Sequence, residues 1–338
     1  LASADTVTAV TLPVAGGGRT SAFLRRLAGK LGSLLLTLWI VTLLVFFCRF
    51  LVPGDPVRFL LRGRRPNPDA IKAITEQYGL NLPPWQQYVN WVTGMLHGDF
   101  GWSLQYRQPV STVIASRMPT TVMLVAMAAV LIVVLGLLAG ILAASKRGKP
   151  ADRVTLIALT ILSAIPSFVG SIVLIAIFAV ELGWFPSFGT GQGFFDMIYH
   201  LTLPALALTI VFVVIVGKVT RSAMVEQYGR EHVEVARSRG LSRGAVVRRH
   251  VFRNALRPIV TVGGPLIAGL LVATSIVETA FGISGIGNLL VQSVDRLDFP
   301  VVQAIVLLVV TAFLVVNAII DILEPLIDPR SAAGASAR

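Results

Sequence analysis

Four histidines, a single cysteine and a short run of glycines are the residues whose types and spacing first suggest chemistry. His97, His200, His232 and His250 form no HExxH pattern, and Cys48 has no second cysteine for a disulfide or a thiolate cluster. Neither a metalloprotease nor a structural metal site is indicated. Gly285 and Gly287, within Phe281-Gly282-Ile283-Ser284-Gly285-Ile286-Gly287, look like a piece of a dinucleotide loop, but no strand-turn-helix unit surrounds them. They read better as a tight re-entrant turn where helices approach closely. A GxxxxGKS/T phosphate loop is absent, so ATP-driven work would need ATP bound by another subunit.

Acidic residues fall at the ends of apolar runs: Glu278, Asp321 and Glu324, with Asn317 one turn before Asp321. Intramembrane acids raise the question of an ion pathway. No clear span centre holds Asp, Glu, Lys, Arg or His, which counts against an ion-coupled secondary carrier or pump.

The most informative polar stretch is residues 223–258, which carries Arg230, Arg237, Arg239, Arg243, Arg248, Arg249, Arg253 and Arg257 against Glu226, Glu231 and Glu234. Glu231 to Arg239 can form a short helix that stops at Gly240, Ser242 suits an N-cap, and a second helix runs through Val246, Val247, Val251 and Phe252 toward Pro258. Two readings of this helix-turn-helix excursion stand side by side. Basic surface helices meet anionic lipid, and Val235, Ala236 and Gly240 would let a protein partner approach closely while the arginines steer it.

The elements that position these residues follow from composition. Of 338 residues, 55% are hydrophobic and only 14% charged, which one soluble core cannot hide. The apolar residues come in membrane-sized packets, each close to the length needed to cross about 30 Å of hydrocarbon as a helix. Spans are expected at 23–52, from Met118-Pro119 to Ala144, from Asp152 to Val180 with a kink at Pro166, at 201–219, at 259–280 and at 301–323. Residues 1–22 read as a disordered tail, 53–118 as an external segment, 119–323 as the helical core and 324–338 as a cytoplasmic tail. The first run is too long, and its exit at Pro53-Gly54-Asp55-Pro56 too unlike a cleavage site, for a signal peptide. Within 53–118, a short helix is expected over 67–78, and Trp85, Tyr88, Val89, Trp91 and Val92 supply an apolar face near the membrane surface.

The net charge of +12 would suggest nucleic acid in a soluble chain, but here it sits largely between spans. Lys146, Arg147, Lys149 and Arg153 fill one connection and 223–258 another, whereas 181–200 and 281–300 contribute only Arg296. Positive loops stay inside, so both termini are expected in the cytoplasm and 53–118 outside, even though 53–118 carries several arginines of its own.

These residues resemble the inner-membrane permeases of binding-protein-dependent ABC importers, in the dipeptide, oligopeptide and nickel group. The likeness is carried by Arg25-Arg26, Leu51-Val52-Pro53-Gly54-Asp55-Pro56, Tyr78-Gly79-Leu80, Pro84, Gln87-Tyr88, Trp91 and Gly98-Asp99-Phe100-Gly101-Trp102-Ser103. It continues through Glu234-Val235-Ala236 with Gly240, Arg249-His250, Arg253-Asn254-Ala255-Leu256, Pro258, Glu278-Thr279, Phe281, Gly285-Ile286-Gly287 and Asp328-Pro329-Arg330. Val235 stands for the first Ala of the Glu-Ala-Ala motif, His232 for a usual Tyr, and Glu234 where this branch often has Arg.

The resemblance implies an all-α polytopic protein with six transmembrane helices in the type I ABC importer permease arrangement, and EAA-type cytoplasmic coupling helices. It implies a half-channel that pairs with a second permease, two cytoplasmic ATPases and an external substrate-binding protein. This chain would bind no cofactor, and ATP and Mg2+ would belong to the ATPases. The coupling residues it implies are Glu231, Glu234, Val235, Ala236, Arg237, Arg239, Gly240, Leu241, Arg249, His250, Arg253 and Asn254. The expected cargo is a dipeptide or oligopeptide, with nickel or another small solute as the alternative, and the expected setting is the bacterial cytoplasmic membrane, among lipid and away from nucleic acid.

Overall fold

The computed structural model describes residues 18–51, 72, 75–76, 81–103 and 105–327. Most of the expected 67–78 helix, the Pro53-Gly54-Asp55-Pro56 exit and the Asp328-Pro329-Arg330 end lie outside these residues, as do residues 1–17 of the expected tail. Helix α1 spans Gly18–Cys48, beginning inside the stretch read as tail. Next come α2 (Pro84–Leu96) and a two-stranded antiparallel hairpin of β1 (Trp102–Ser103) and β2 (Gln108–Pro109). Then follow α3 (Val110–Ser145), α4 (Pro150–Ser163), α5 (Ser167–Leu174, extended by a π-helical turn to Glu181) and α6 (Phe194–Tyr228). The basic segment holds α7 (Glu231–Ser238), α8 (Arg243–Val246), a π-helical stretch over Val247–Phe252 and α9 (Arg253–Thr261). The chain continues through α10 (Gly263–Ala280), α11 (Ile286–Asp295) and α12 (Phe299–Ile327).

Five of these helices are long and apolar enough to cross a membrane, and α4 with α5 makes a sixth span if counted as one. That span is broken rather than merely kinked, with a bend of 100° between its halves. Pro166 has no N–H to continue the ladder and pushes Ile165 away from helical geometry. A local turn recovers the carbonyl it frees: Leu162 O accepts from Ile165 N–H at 3.2 Å, and the ladder of α5 then opens with Gly170 N–H donating to Pro166 O at 3.0 Å. Backbone groups at membrane depth require such partners.

Helix α3 is apolar all round, and spacing sorts its faces. Leu124, Ala128, Ile132, Gly136, Gly140 and Ala144 recur every four residues and are buried, while Val130, Val134, Leu138 and Leu142 keep the same interval on the exposed side. The buried stripe meets α6, the most enclosed span, 67% of whose apolar window is buried. Small residues decide how closely these backbones approach. A Cβ on Gly136 would stand 2.7 Å from Val216 Cβ, and one on Gly140 would stand 2.5 Å from Thr220 Cβ and 2.7 Å from Gly217 O. This is the small-xxx-small packing that replaces the hydrophobic drive inside lipid.

At the C-terminal end of α1, Phe46 is buried among Tyr88 and Trp91 of α2, with ring centroids 5.4 and 5.5 Å away. Arg49 hydrogen-bonds to Gln87 and lies 4.1 Å from the Phe46 ring centroid. Trp85 and Val89 face outward instead, so the expected apolar face divides between intramolecular packing and the surface. Replacing Gly140 with Leu should cost about 1–3 kcal/mol or more, since backbone rather than a flexible side chain blocks the new atoms. Gly32→Ala, with nothing within 4 Å of its Cβ, should leave stability within about 0.5 kcal/mol. Thermal unfolding of the two purified variants checks this, and equal melting temperatures would contradict the close α3–α6 approach.

Candidate functional site

Residues 223–258 form a compact unit whose inner face is fixed to the spans. Val233 and Ala236 of α7, Val246, Val251 and Ala255 pack with Ala144, Ala223 and Met224 in one buried cluster. Ala236 is only 2% exposed, so its methyl is spent on anchoring the loop, while its small size leaves room in the cleft it helps to line. Val235, 47% exposed, is the apolar residue of the motif that faces outward. Glu231, Glu234, Arg237, Arg239, Gly240, Arg249, Arg253 and Asn254 are exposed, and Leu241 and His250 are half-buried.

The turn out of α7 explains Gly240. Its φ is +77° with nothing within 4 Å of an added Cβ, so left-handed backbone, and not crowding within this chain, requires glycine. Leu241 N–H donates to Ala236 O at 3.3 Å, and Gly240 N–H donates to Arg237 O at 3.0 Å, the two bonds of a Schellman cap. Glu231 and Glu234 occupy the first turn and Arg237 the last, matching the helix dipole. Ser242 then caps α8 by accepting from Ala245 N–H at 3.4 Å. Asn254 Nδ2 donates to His250 O at 2.7 Å and lies 3.2 Å from His232 Nε2, tying the π-helical stretch to α7. Between them lies a cleft of about 460 Å³ lined by Glu231, His232, Val235, Ala236, Arg239, Leu241 and His250.

An ion pair absent from the sequence reading secures the neighbouring connection. Arg221 of α6 holds Asp152 with two parallel bonds, Nε–Oδ1 at 2.7 Å and Nη2–Oδ2 at 2.9 Å, while Gly148 N–H donates to Asp152 Oδ2 at 2.9 Å. An acid in an otherwise basic loop, two residues after Pro150, was the signal available in the sequence.

The opposite end of the bundle holds a second polar centre. Glu278, placed by the sequence at a span end, is wholly buried. Thr121 Oγ1 donates to its Oε1 at 2.6 Å and Asn288 N–H to its Oε2 at 2.9 Å, and Thr121 Oγ1 accepts from Ile286 N–H at 2.7 Å. The chain of bonds continues from Asn288 through Gln292 to Tyr106, which lies 3.3 Å from Arg117 Nη2. A Cβ on Gly285 would collide with the Glu278 carboxylate, and one on Gly287 would stand 2.6 Å from Ser275 Cα. The expected re-entrant turn therefore exists, and it encloses an acid. Nearby, Asp298 accepts from Ser103 Oγ at 2.6 Å and from Gln105 N–H at 3.1 Å, seating the hairpin on the start of α12.

Between α3, α10, α11 and α12 runs a groove of about 580 Å³ lined by Met118, Thr121, Val122, Val125, Leu271, Thr274, Ser275, Ile305 and Val309 among others. Its polar atoms are hydroxyls, and no charged side chain lines it. Among the described residues no group of three or more His, Cys, Asp or Glu is placed to hold a metal ion.

Comparison with known proteins covers nearly the whole chain. The family described as binding-protein-dependent transport system inner membrane component matches residues 136–332, and the corresponding N-terminal membrane component matches residues 22–125. The glutathione transport system permease proteins of Escherichia coli (strain K12) and of Shigella dysenteriae serotype 1 (strain Sd197) are each 36% identical over 300 residues, covering 89% of this chain and 96% of theirs. Among solved structures, an inward-facing MetNI methionine ABC transporter superposes with a TM-score of 0.54 at 17% identity, covering 64% of this chain and 96% of its own. An amino acid ABC transporter with histidines superposes at 0.50 and 19% identity, covering 63% and 94%. These superpositions establish the fold as that of ABC import permeases.

Gly240→Val should strain the cap by about 1–2 kcal/mol, the usual cost of a side chain in left-handed backbone. Amide exchange over 239–246 should then quicken roughly tenfold, while Gly240→Asn, which tolerates this conformation, should stay near wild type. Unchanged exchange in the Val variant would show that the turn does not need glycine.

Proposed function

Because this chain belongs to the family of binding-protein-dependent transport system inner membrane components, and is thus a permease subunit of an ABC importer, we propose that its cargo is a small peptide, with glutathione among the candidates. The observation that carries this reading is the 36% identity to glutathione permeases across 96% of their length. The groove beside α3 and α10 supports it physically. A wall of aliphatic side chains with a few hydroxyls neither pairs with a peptide's charged termini nor reads its side chains, so selection falls to an external binding protein. Half of the pathway would come from this chain and half from a second permease, which would cover the groove.

In the same reading, two ATPases dock on residues 231–256. They bring the ATP and Mg2+. The loop is built to transmit force: its inner face is packed onto α3 and α6, so a push on Val235, Arg239 and the cleft around His250 moves the spans rather than flexing a tether. The acidic first turn of α7 and the exposed arginines Arg249 and Arg253 offer the partner charges of both signs. The positive-loop asymmetry supports a cytoplasmic setting for this face and both termini and an external one for α2. Nickel transport is the competing reading, because its ligands could reside entirely in the binding protein.

Reconstitution with the second permease, both ATPases and the cognate binding protein tests the cargo. ATP-dependent uptake of labelled glutathione and di- to pentapeptides is expected, and nickel-chelate uptake without peptide uptake would overturn it. Orientation is tested in a Cys48→Ser background with Asn90→Cys and Ser242→Cys, both exposed positions. Asn90→Cys should react with an impermeant maleimide in intact cells and Ser242→Cys only after permeabilisation. Reaction of both from one side would refute the topology.

A further inference from the structure

At the end of the bundle that carries the basic loop, beside the α7 cleft but separate from it, lies a cavity of about 640 Å³. Lys146 and Arg147 enter it from the turn after α3, Arg237 from α7 and Arg243 from α8. No carboxylate lines it, and among the described residues none of the four cations forms an ion pair with an acid. The acids nearest in sequence are committed elsewhere: Asp152 to Arg221, and Glu226 to Arg230 at 2.5 Å. All four cations are exposed to solvent and Arg147 also lies within electrostatic reach of Asp152, so screening and that acid ease their mutual repulsion. An anion seated among them would be attracted by cations from three elements, beside only the partial negative charge of the α3 and α7 C-termini.

Hydroxyls complete the polar wall. Tyr228 OH lies 3.4 Å from Ser145 Oγ, and the Arg237 guanidinium sits 5.8 Å from the Tyr228 ring centroid. Guanidinium forks and hydroxyl donors arriving from several directions suit the tetrahedral oxygens of phosphate better than a planar carboxylate. The floor is apolar, formed by Ala144, Leu241 and Val246.

We propose that this cavity binds a phosphate-bearing anion, and its place at the ends of two spans, over an apolar floor, favours the headgroup of an anionic phospholipid. Soluble phosphate is the other source of the same chemistry. The inference is independent of the cargo reading; Arg237, Leu241, Arg243, Val246 and Val247 of its lining fall within the 231–256 segment read as the ATPase dock, so its test uses this chain without ATPases.

The test uses the full chain in nanodiscs of phosphatidylcholine doped with phosphatidylglycerol, read by native mass spectrometry after mild delipidation. Inorganic phosphate is tested separately by ³¹P line broadening in neutral detergent. Wild type should retain phosphatidylglycerol, and Lys146→Gln/Arg243→Gln should lose it by about tenfold or more, as expected when two cation contacts to a lipid surface are removed. Arg153→Gln/Arg248→Gln removes the same charge outside the cavity and should retain it, as should the charge-preserving Arg243→Lys, which guards against misfolding of the double variant. Phosphate broadening abolished by Lys146→Gln/Arg243→Gln without lipid retention would support the site with a soluble ligand. Equal loss in both double variants, or neither ligand bound by wild type, would overturn the proposal.

Discussion

A carboxylate cannot be buried in a membrane protein unless donors meet it, and Glu278 imposes that condition on the end of the fold opposite the basic loop. An unpaired acid at that depth costs several kcal/mol, so Thr121 from α3 and the amide of Asn288 from α11 must both be brought to it. Reaching it requires the chain to reverse directly after α10, and the reversal requires glycine at 285 and 287, where any side chain would strike the acid or the α10 backbone. One interaction thus sets the path of the turn, the seating of α11 and the register of α3 against α10. Through Asn288, Gln292 and Tyr106 it extends to the hairpin.

The other end is organised by packing and caps. The apolar side of α7 is spent inside the molecule on Val233 and Ala236, and the Schellman turn at Gly240 fixes the angle at which the chain leaves. The arginines and acids of the same segment therefore face outward, on a unit that shares one buried cluster with α3 and α6. The bidentate Asp152–Arg221 pair binds the adjacent connection to α6 as well. The basic loop is thus packed and tied to these spans as one unit.

Many large apolar side chains of α1, α3, α4 and α5 are exposed in the isolated chain, among them Leu35, Trp39, Val130, Ile157 and Ile172. In lipid such faces need no cover, because acyl chains are as apolar as leucine. The α3–α10–α12 groove differs from these faces in being concave and carrying hydroxyls.

The sequence by itself determined the membrane class, the places of the long apolar runs, the helix-turn-helix character of 223–258, the Ser242 cap and the tight turn at 281–287. Each of these is a local property: length and polarity decide whether a helix can sit in hydrocarbon, and capping chemistry acts within a few residues. Only the tertiary structure decided which face of each helix is used. Val235 and Ala236 are neighbours of similar character, yet the direction of α7 buries one and exposes the other. Pro166 announced a disturbance, but how far a proline bends a span depends on what its neighbours let the freed ends contact, so the 100° break could not be read locally. Glu278 with Thr121, and Asp152 with Arg221, are 157 and 69 residues apart. Pairings of that span arise from the packing of helices against one another, which no stretch of sequence encodes alone.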